Sequence, residues 1–374
     1  MITDKSQSSV NGTSLLGTFV LVFLAIAALA ATDTFLAKVE RTEGQAEARR
    51  LLIEGQRLVQ QERNAEAIDK FRSALSVSRG NQEVQLGLAR ALLAVGRLTD
   101  AETLLQGMLQ RNATDGAANL TMARVLVKEG RSVDATSYYH QAIYGRWKQN
   151  AQANRVKVRF ELIDVLVRQN ADREVLAELL PLQDEAPDDI QTRKRIARLY
   201  LSAGSPSRAL DLFREILRQQ PQDFDAYAGL GEAEFARGNY RTARTDFKVA
   251  LRLNPANEEI RKRLGVCETV LALDPTQRGL STAERYRRSI KLVELALEGM
   301  NRCVRTPPPA AVSDLAEKAK QVLMRRVSSA RQDEVTETNL DLAEQVWQAR
   351  VRECRESPSE SEEPLVLVVA KLAQ

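Results

Sequence analysis

One histidine, three cysteines and a few adjacent carboxylate pairs are the side chains of this 374-residue sequence that could support acid–base, nucleophilic or metal chemistry. His140 has no second imidazole to share a metal with, and no serine or cysteine pattern is arranged around it. It reads as a structural or surface histidine. Cys267, Cys303 and Cys354 are separated by 36 and 51 positions, with no CxxC pair and no zinc-like spacing. They are expected to be small apolar residues on helices, with a single bridge or a reactive thiol as the alternative. Asp188-Asp189 and Glu362-Glu363 fall between helices or in the tail, where solvation explains them. GxSxG, HExxH, Walker-type and GxGxxG motifs are all missing from the sequence. No catalytic residue, cofactor or metal is therefore expected, and the chain is read as a non-enzyme.

Those residues must be carried by some framework, and composition limits which. Hydrophobic residues at 44% and charged residues at 28% are ordinary for a folded chain. Aromatics at 5% and 18 glycines argue against β-sandwiches and propellers. Fifty-four Lys and Arg against 50 Asp and Glu leave a net charge of +4, too little to mark a nucleic-acid binder.

Residues 1–13 form a polar tail, and Leu15 to Ala31 is a run without a charge. At about 1.5 Å per residue its 17 positions span roughly 26 Å, enough for most of a hydrocarbon core. A transmembrane anchor is expected over 14–36, with a cleaved signal at Ala28-Leu29-Ala30 as the rival. A linker is expected at 37–47. Lys38, Arg41, Arg49 and Arg50 after the run favour a cytoplasmic domain by the positive-inside count. A signal-like segment ordinarily carries its downstream domain across the membrane, so the soluble part is read as extracytoplasmic in a single-pass protein.

Self-comparison finds a repeat. Ala67, Ala101 and Ala135 are 34 residues apart, and so are Val175, Ala209 and Ala243 after an insert around Tyr144 to Gln149. Four residues after each stands a larger side chain: Phe71, Leu105, Tyr139, Leu179, Phe213 and Phe247. Small residues precede them at Gly55, Ala89 and Ala123, and Pro187, Pro221 and Pro255 close the last three units. In residues 224–257, Tyr227, Leu230, Gly231, Gly238, Tyr240, Ala243, Phe247, Ala250 and Pro255 together make a pattern that resembles the tetratricopeptide repeat. Six units cover 48–81, 82–115, 116–149, 156–189, 190–223 and 224–257; in the fourth, Ile163 and Val175 replace small residues. Small residues let two helices approach, the large one fills the gap to the next unit, and glycine accepts a left-handed turn. Each unit leaves an apolar face that only a neighbour can cover. The fold expected is all-α: a solenoid of helical hairpins in a right-handed superhelix, with one N-terminal transmembrane helix and a C-terminal helical extension.

Beyond the repeats, 258–280 reads as a solvated capping helix and a linker. Ser281 and Glu284 have capping-box spacing. Residues 281–356 hold three amphipathic helices: one with Ile290, Val293, Leu297, Met300 and Val304, one with Leu315, Ala319, Val322 and Val327, and one with Leu340, Ala343, Trp347, Val351 and Cys354. They are expected to form a small bundle or to prolong the solenoid. Residues 357–374 are an acidic linker and an apolar tail, which docks on the chain itself, on a partner or on a membrane.

The resemblance also implies a binding face. In this family the first helix of each hairpin lines a concave groove, which places Arg90, Arg124, Lys128, Lys157, Arg168, Lys194, Arg195 and Arg198 there. Glu83, Glu161 and Asp164 dilute them, and the sixth unit offers Asp225, Glu232 and Phe235. The asparagine and lysine clamp that some relatives use for chaperone carboxylates is not found. A membrane-tethered scaffold, assembly factor or accessory subunit is expected, binding membrane-associated proteins with acidic segments and no nucleic acid. An enzyme with an unrecognised site in the C-terminal helices and an RNA-binding helical repeat are the alternatives.

Overall fold

The computed structural model describes residues 12–303, 308–354 and 357–373, without the side chains of 12–18, 21, 33, 36, 37 and 39–41. The polar tail at 1–11, Val304 and Gln374 lie outside the described residues. The chain divides into two units, 1–169 and 170–374. Among the described residues there is no strand beyond an isolated bridge between Asp115 and Arg146.

The first unit contains α1 (Gly12–Gln60), α2 (Asn64–Val77), α3 (Gln82–Ala94), α4 (Leu98–Arg111), α5 (Gly116–Lys128), α6 (Ser132–Ile143) and α7 (Ala151–Arg168). The second contains α8 (Asp172–Glu185), α9 (Ile190–Ser202), α10 (Pro206–Gln219), α11 (Phe224–Ala236), α12 (Tyr240–Leu253), α13 (Glu258–Leu273), α14 (Thr282–Cys303), α15 (Ala310–Met324), α16 (Gln332–Glu353) and α17 (Glu363–Leu372). Helix α1 runs without interruption through the expected linker at 37–47 into the first repeat. Among the described residues no helix is long and apolar enough to cross a membrane.

Two backbone signals set the repeat length. Asn81, Asp115, Asp189, Asp223 and Asn257 each cap a first helix, their side chains accepting from amides two or three residues on at 2.9–3.3 Å. The hairpin turn is the other. Gly96, Gly130, Gly204 and Gly238 hold φ between 73° and 80°, and Glu62 and Asn170 occupy the same turn position at 60° and 54°. A side chain in that left-handed conformation costs about 1 kcal/mol that glycine avoids. Glu62→Gly and Asn170→Gly are therefore expected to stabilise the protein by about 0.5–1 kcal/mol each, and Gly96→Ala to destabilise it by about 1, in urea unfolding.

The interlock of small and bulky residues is formed as the pattern requires. Ala67, Ala101, Ala135, Ala209 and Ala243 are fully buried, and Phe71, Leu105, Tyr139, Phe213 and Phe247 are at most 3% exposed. A Cβ placed on Gly231 would stand 2.4 Å from the Phe247 ring, and one on Gly229 would stand 2.2 Å from the Phe213 ring of the preceding repeat. One glycine thus seats its own repeat's aromatic while the other seats its neighbour's.

The insert before the fourth repeat is structured. Trp147 lies over Gly116, where a Cβ would be 2.5 Å from its indole, and its Nε1 donates to the Ala142 carbonyl at 2.9 Å. Arg146 exchanges backbone hydrogen bonds with Thr114 and Gly116 at 2.7 and 2.9 Å. Helix α7 consequently starts at Ala151, five residues before the register position at 156.

The C-terminal region corrects several expectations. Helix α13 is not a solvated cap: Ile260, Cys267, Val270 and Leu273 share one apolar core with Phe247, Leu292, Trp347, Leu365 and Val369. Helices α14, α15 and α16 pack together and join that core. The apolar tail is a helix, α17, docked on α13. Helix α15 ends at Met324, so Val327 falls outside it. The Ser281 box is half formed, because Glu284 donates its amide to Ser281 at 3.2 Å but turns its carboxylate to Arg287 and Arg288. Cys303 and Cys354 form a disulfide across a Cα separation of 5.6 Å, which joins the ends of α14 and α16. Only Cys267 is free, and it is buried.

Candidate functional site

The expected groove residues lie on first helices, and first helices of adjoining repeats touch one another: α3 with α5, and α9 with α11. Helical periodicity brings residues four apart onto one side of each helix. Charges on neighbouring first helices therefore meet, and the two units use this differently.

In the first unit, Arg124 on α5 makes a two-pronged contact with Glu161 on α7, at 2.9 Å from Nε and 2.6 Å from Nη2. Desolvation alone would lower the Arg124 pKa, but hydrogen bonding and attraction from Glu161 outweigh it and raise it. Tyr139 is buried near this pair, and burial, reinforced by Glu161, pushes its phenol up to about 12. Lys128 donates to the Leu93 carbonyl at the end of α3 at 3.1 Å, a favoured place for a cation. Glu83 is drawn to Lys148 at 2.9 Å. Arg90, Lys128, Lys157 and Arg168 remain exposed. Desolvation, and then the charge of Arg124, lower the Arg90 pKa, with Asp115 opposing.

In the second unit three cations are paired with carboxylates of the same unit. Lys194 is 5% exposed and lies between Asp223 and Asp225 at 2.6 and 2.9 Å. Desolvation would lower its pKa, but those two carboxylates prevail and raise it. Arg198 shares Asp225 at 2.8 Å. Arg195 is exposed on α9. Arg263 on α13 completes the row: it contacts Glu232 at 3.3 Å and stacks over Phe235 at 5.0 Å. A cleft of about 340 Å³ runs past Arg198, Phe224, Asp225, Gly229, Glu232 and Arg263. The family pattern places Lys194 among exposed groove residues, and the structure buries it. The signal missed is the aspartate N-cap of the next helix, Asp223, which takes up the ammonium.

Other perturbed groups do not converge on a reaction centre. Burial raises the Glu232 carboxyl on α11 and takes the Cys267 thiol to about 12. Asp246, on the second helix α12, is raised to about 6 by burial and then by Glu234, with Arg214 opposing. Its folded value lies above the unfolded one, so ionised Asp246 is a penalty that grows as pH rises through 6. Asp246→Asn is expected to stabilise by about 1 kcal/mol at pH ~7.5, discounted for partial exposure, and by nothing at pH ~4. Thermal melts at the two pH values check this. His140 is half-buried on α6. Among the described residues no group of His, Cys, Asp or Glu could hold a metal ion.

Comparison with known proteins agrees with the geometry of the hairpins. Two family models described as tetratricopeptide repeat match residues 58–125 and 194–258. Superkiller complex protein 3 of Homo sapiens is 31% identical over 118 residues, 31% of this chain and 7% of that protein. Cellulose synthase 1 operon protein C of Komagataeibacter xylinus is 24% identical over 175 residues, 44% of this chain and 13% of that protein. The chain thus spans a small fraction of the length of these relatives. Among solved structures, YrrB, described as a TPR protein with an unusual peptide-binding site, aligns with 18% identity and a TM-score of 0.41 over 51% of this chain and 95% of its own. The pilus biogenesis factor PilW aligns with 15% identity and a TM-score of 0.41 over 58% of this chain and 98% of its own. With their capped first helices, left-handed turns and seated aromatics, residues 58–125 and 194–258 are tetratricopeptide repeats.

Proposed function

We propose that this chain is a membrane-tethered scaffold that binds another polypeptide along its first-helix faces, as an assembly factor or an accessory subunit of a membrane complex. Tetratricopeptide repeats generally mediate contacts between proteins, which is the coarse part of this reading. The observation that carries the rest is the asymmetry of charge. Arg90, Lys128, Lys157 and Arg168 stand exposed on first helices of the first unit, while Lys194, Arg198 and Arg263 of the second are each paired with carboxylates of their own unit. An acidic segment fits the first unit and is steered to it. Nucleic acid is not expected as a partner, since among the described residues no row of exposed aromatics accompanies the cations. Catalysis is not expected either.

Tethering is inferred from α1. Phe19, Val20, Val22, Phe23, Leu24, Ile26 and Leu29 are between 52% and 72% exposed on successive turns, more apolar surface than water tolerates on one helix. The side chains of 15–18 and 21, which complete the apolar run, lie outside the described residues. The side of the membrane is inferred from the disulfide, because such bridges persist in oxidising compartments.

Affinity purification from membranes in mild detergent tests the binding reading. Recovery of a stoichiometric protein is expected, lost when Arg90, Lys157 and Arg168 are changed together to glutamate. Recovery of no stoichiometric protein would count against it. Thiol labelling in intact cells tests the side: Cys303 and Cys354 should resist alkylation until a reductant is added.

A further inference from the structure

Helix α13 has the start of a seventh repeat without its second helix. Asn257 caps it at the same 34-residue spacing as Asp189 and Asp223, and its apolar residues face the core. The segment that covers it is α17, from a hundred residues further along the chain. Arg263 meets Glu363 at 3.0 Å near one end of the pair, and Asp274 meets Lys371 at 2.6 Å near the other. The two helices therefore run in the same direction. A second helix of a hairpin returns antiparallel, so α17 is not a displaced half of the seventh repeat. It sits chiefly on α13 and more lightly on α14 and α16, and Leu365, Val368 and Val369 enter the core these helices share.

The residues at the start of α17 and just ahead of it are acidic and fall on cations of α13. Glu363 is on Arg263, and Glu360 is 3.9 Å from Lys262. The seat is not sealed, since a cleft of about 750 Å³ lies between Lys262, Val266 and Thr269 on one side and Glu360 and Pro364 on the other. Glu259 and Arg263 line both this cleft and the one along α9 and α11. The tail thus closes one end of the first-helix face of its own unit.

We propose that residues 357–372 are an internal ligand of α13, and that the partner segment they exclude has the same chemistry: carboxylates directly ahead of a short aliphatic helix. This rests on reading the first-helix faces as surfaces that bind another polypeptide. A tether of a few residues holds the tail at an effective concentration in the millimolar range, so a competing segment binds only when the tail is displaced.

The test uses the full chain and a fluorescent peptide of residues 357–374. In a variant with Leu365→Asp and Val369→Asp the tail is released, and the peptide is expected to bind it about a hundredfold more tightly than it binds the natural chain. Salt should weaken binding. Arg263→Glu in the released variant should cost about tenfold, and a peptide carrying Glu363→Arg should recover it. A chain ending at Arg355 serves where the aspartates disturb folding. Equal binding to natural and released chains overturns the proposal, as does no binding to a released chain that keeps its helical content. Hydrogen exchange on the natural protein gives an independent outcome. Amides of α17 should exchange at least about tenfold faster than those of α16, and equal protection would make the tail an integral part of the core. Recovery of a membrane partner can succeed or fail whatever these results, so the two readings fail separately.

Discussion

Truncating Phe247 to alanine is expected to destabilise the second unit by about 3–5 kcal/mol, among the largest effects of any single change in the chain. The ring is fully buried, and Gly231 approaches it so closely that nothing but the missing side chain makes room. The same geometry makes the reverse change costly. Gly231→Ala puts a methyl 2.4 Å from two ring atoms and is expected to cost about 1–3 kcal/mol. The two sites are coupled, so in a Phe247→Leu background the alanine should cost at least about 1 kcal/mol less. Urea denaturation of the four proteins of this cycle measures the coupling. Additive effects would mean that the glycine is there for some other reason.

This interlock was legible because it depends on residues at fixed separations: the small side chains, the alanines and the bulky residues four positions later. The insert was legible only as a gap. Nothing in the run from Tyr144 to Gln149 announces that Trp147 will fold back over Gly116, because that contact depends on a glycine thirty-one positions earlier. The residues expected in the groove lie on first helices, but their charge balance could not be read from the sequence. Lys194 and Arg198 are cations in any reading of the sequence; that Asp223 and Asp225 meet them across the next turn is a consequence of stacking. The cysteines show the same limit, since the ends of α14 and α16 come together only once their apolar stripes have paired. Capping boxes cut both ways. The spacing at Ser281 and Glu284 forms half a box, while the same spacing at Ser359 and Glu362 forms a complete one.

That second box leads to the other large effect. Glu362 is 5% exposed and accepts from the Ser359 amide at 2.8 Å, its hydroxyl at 3.0 Å and Arg350 Nη2 at 3.1 Å. Arg350 is itself buried and lies 5.2 Å from the Trp347 ring centroid. Gly299 leaves the space, since a Cβ there would be 2.8 Å from the carboxylate. Glu362→Ala removes the buried carboxylate that the Arg350 guanidinium and the Ser359 amide and hydroxyl share, and is expected to cost about 3–5 kcal/mol. Replacing Arg350 and Glu362 together with methionine and leucine should cost much less, because both members of the buried pair are removed at once. The carboxyl is held below its ordinary value: burial opposes this, but the Ser359 hydrogen bonds and the arginines prevail. Its stabilisation is therefore present above the ordinary carboxylate range and is lost as pH falls through the lowered value. Asp274 adds a second contribution of the same sign, since its burial is outweighed by Lys371 and Thr276, which hold it low. Acidification should accordingly release the tail and open residues 357–362 to protease, with a smaller acid step in the doubly substituted chain.

Site-specific photocrosslinking in native membranes tests the scaffold reading most directly. A photoreactive residue at Lys157 or Arg168, on the first-helix face of the first unit, is set against one at Ser137, exposed on the second helix α6. One protein captured at 157 and 168, and not at 137, is the result that a first-helix binding face requires. Capture that is the same from all three positions, or absent from the first two, would contradict it.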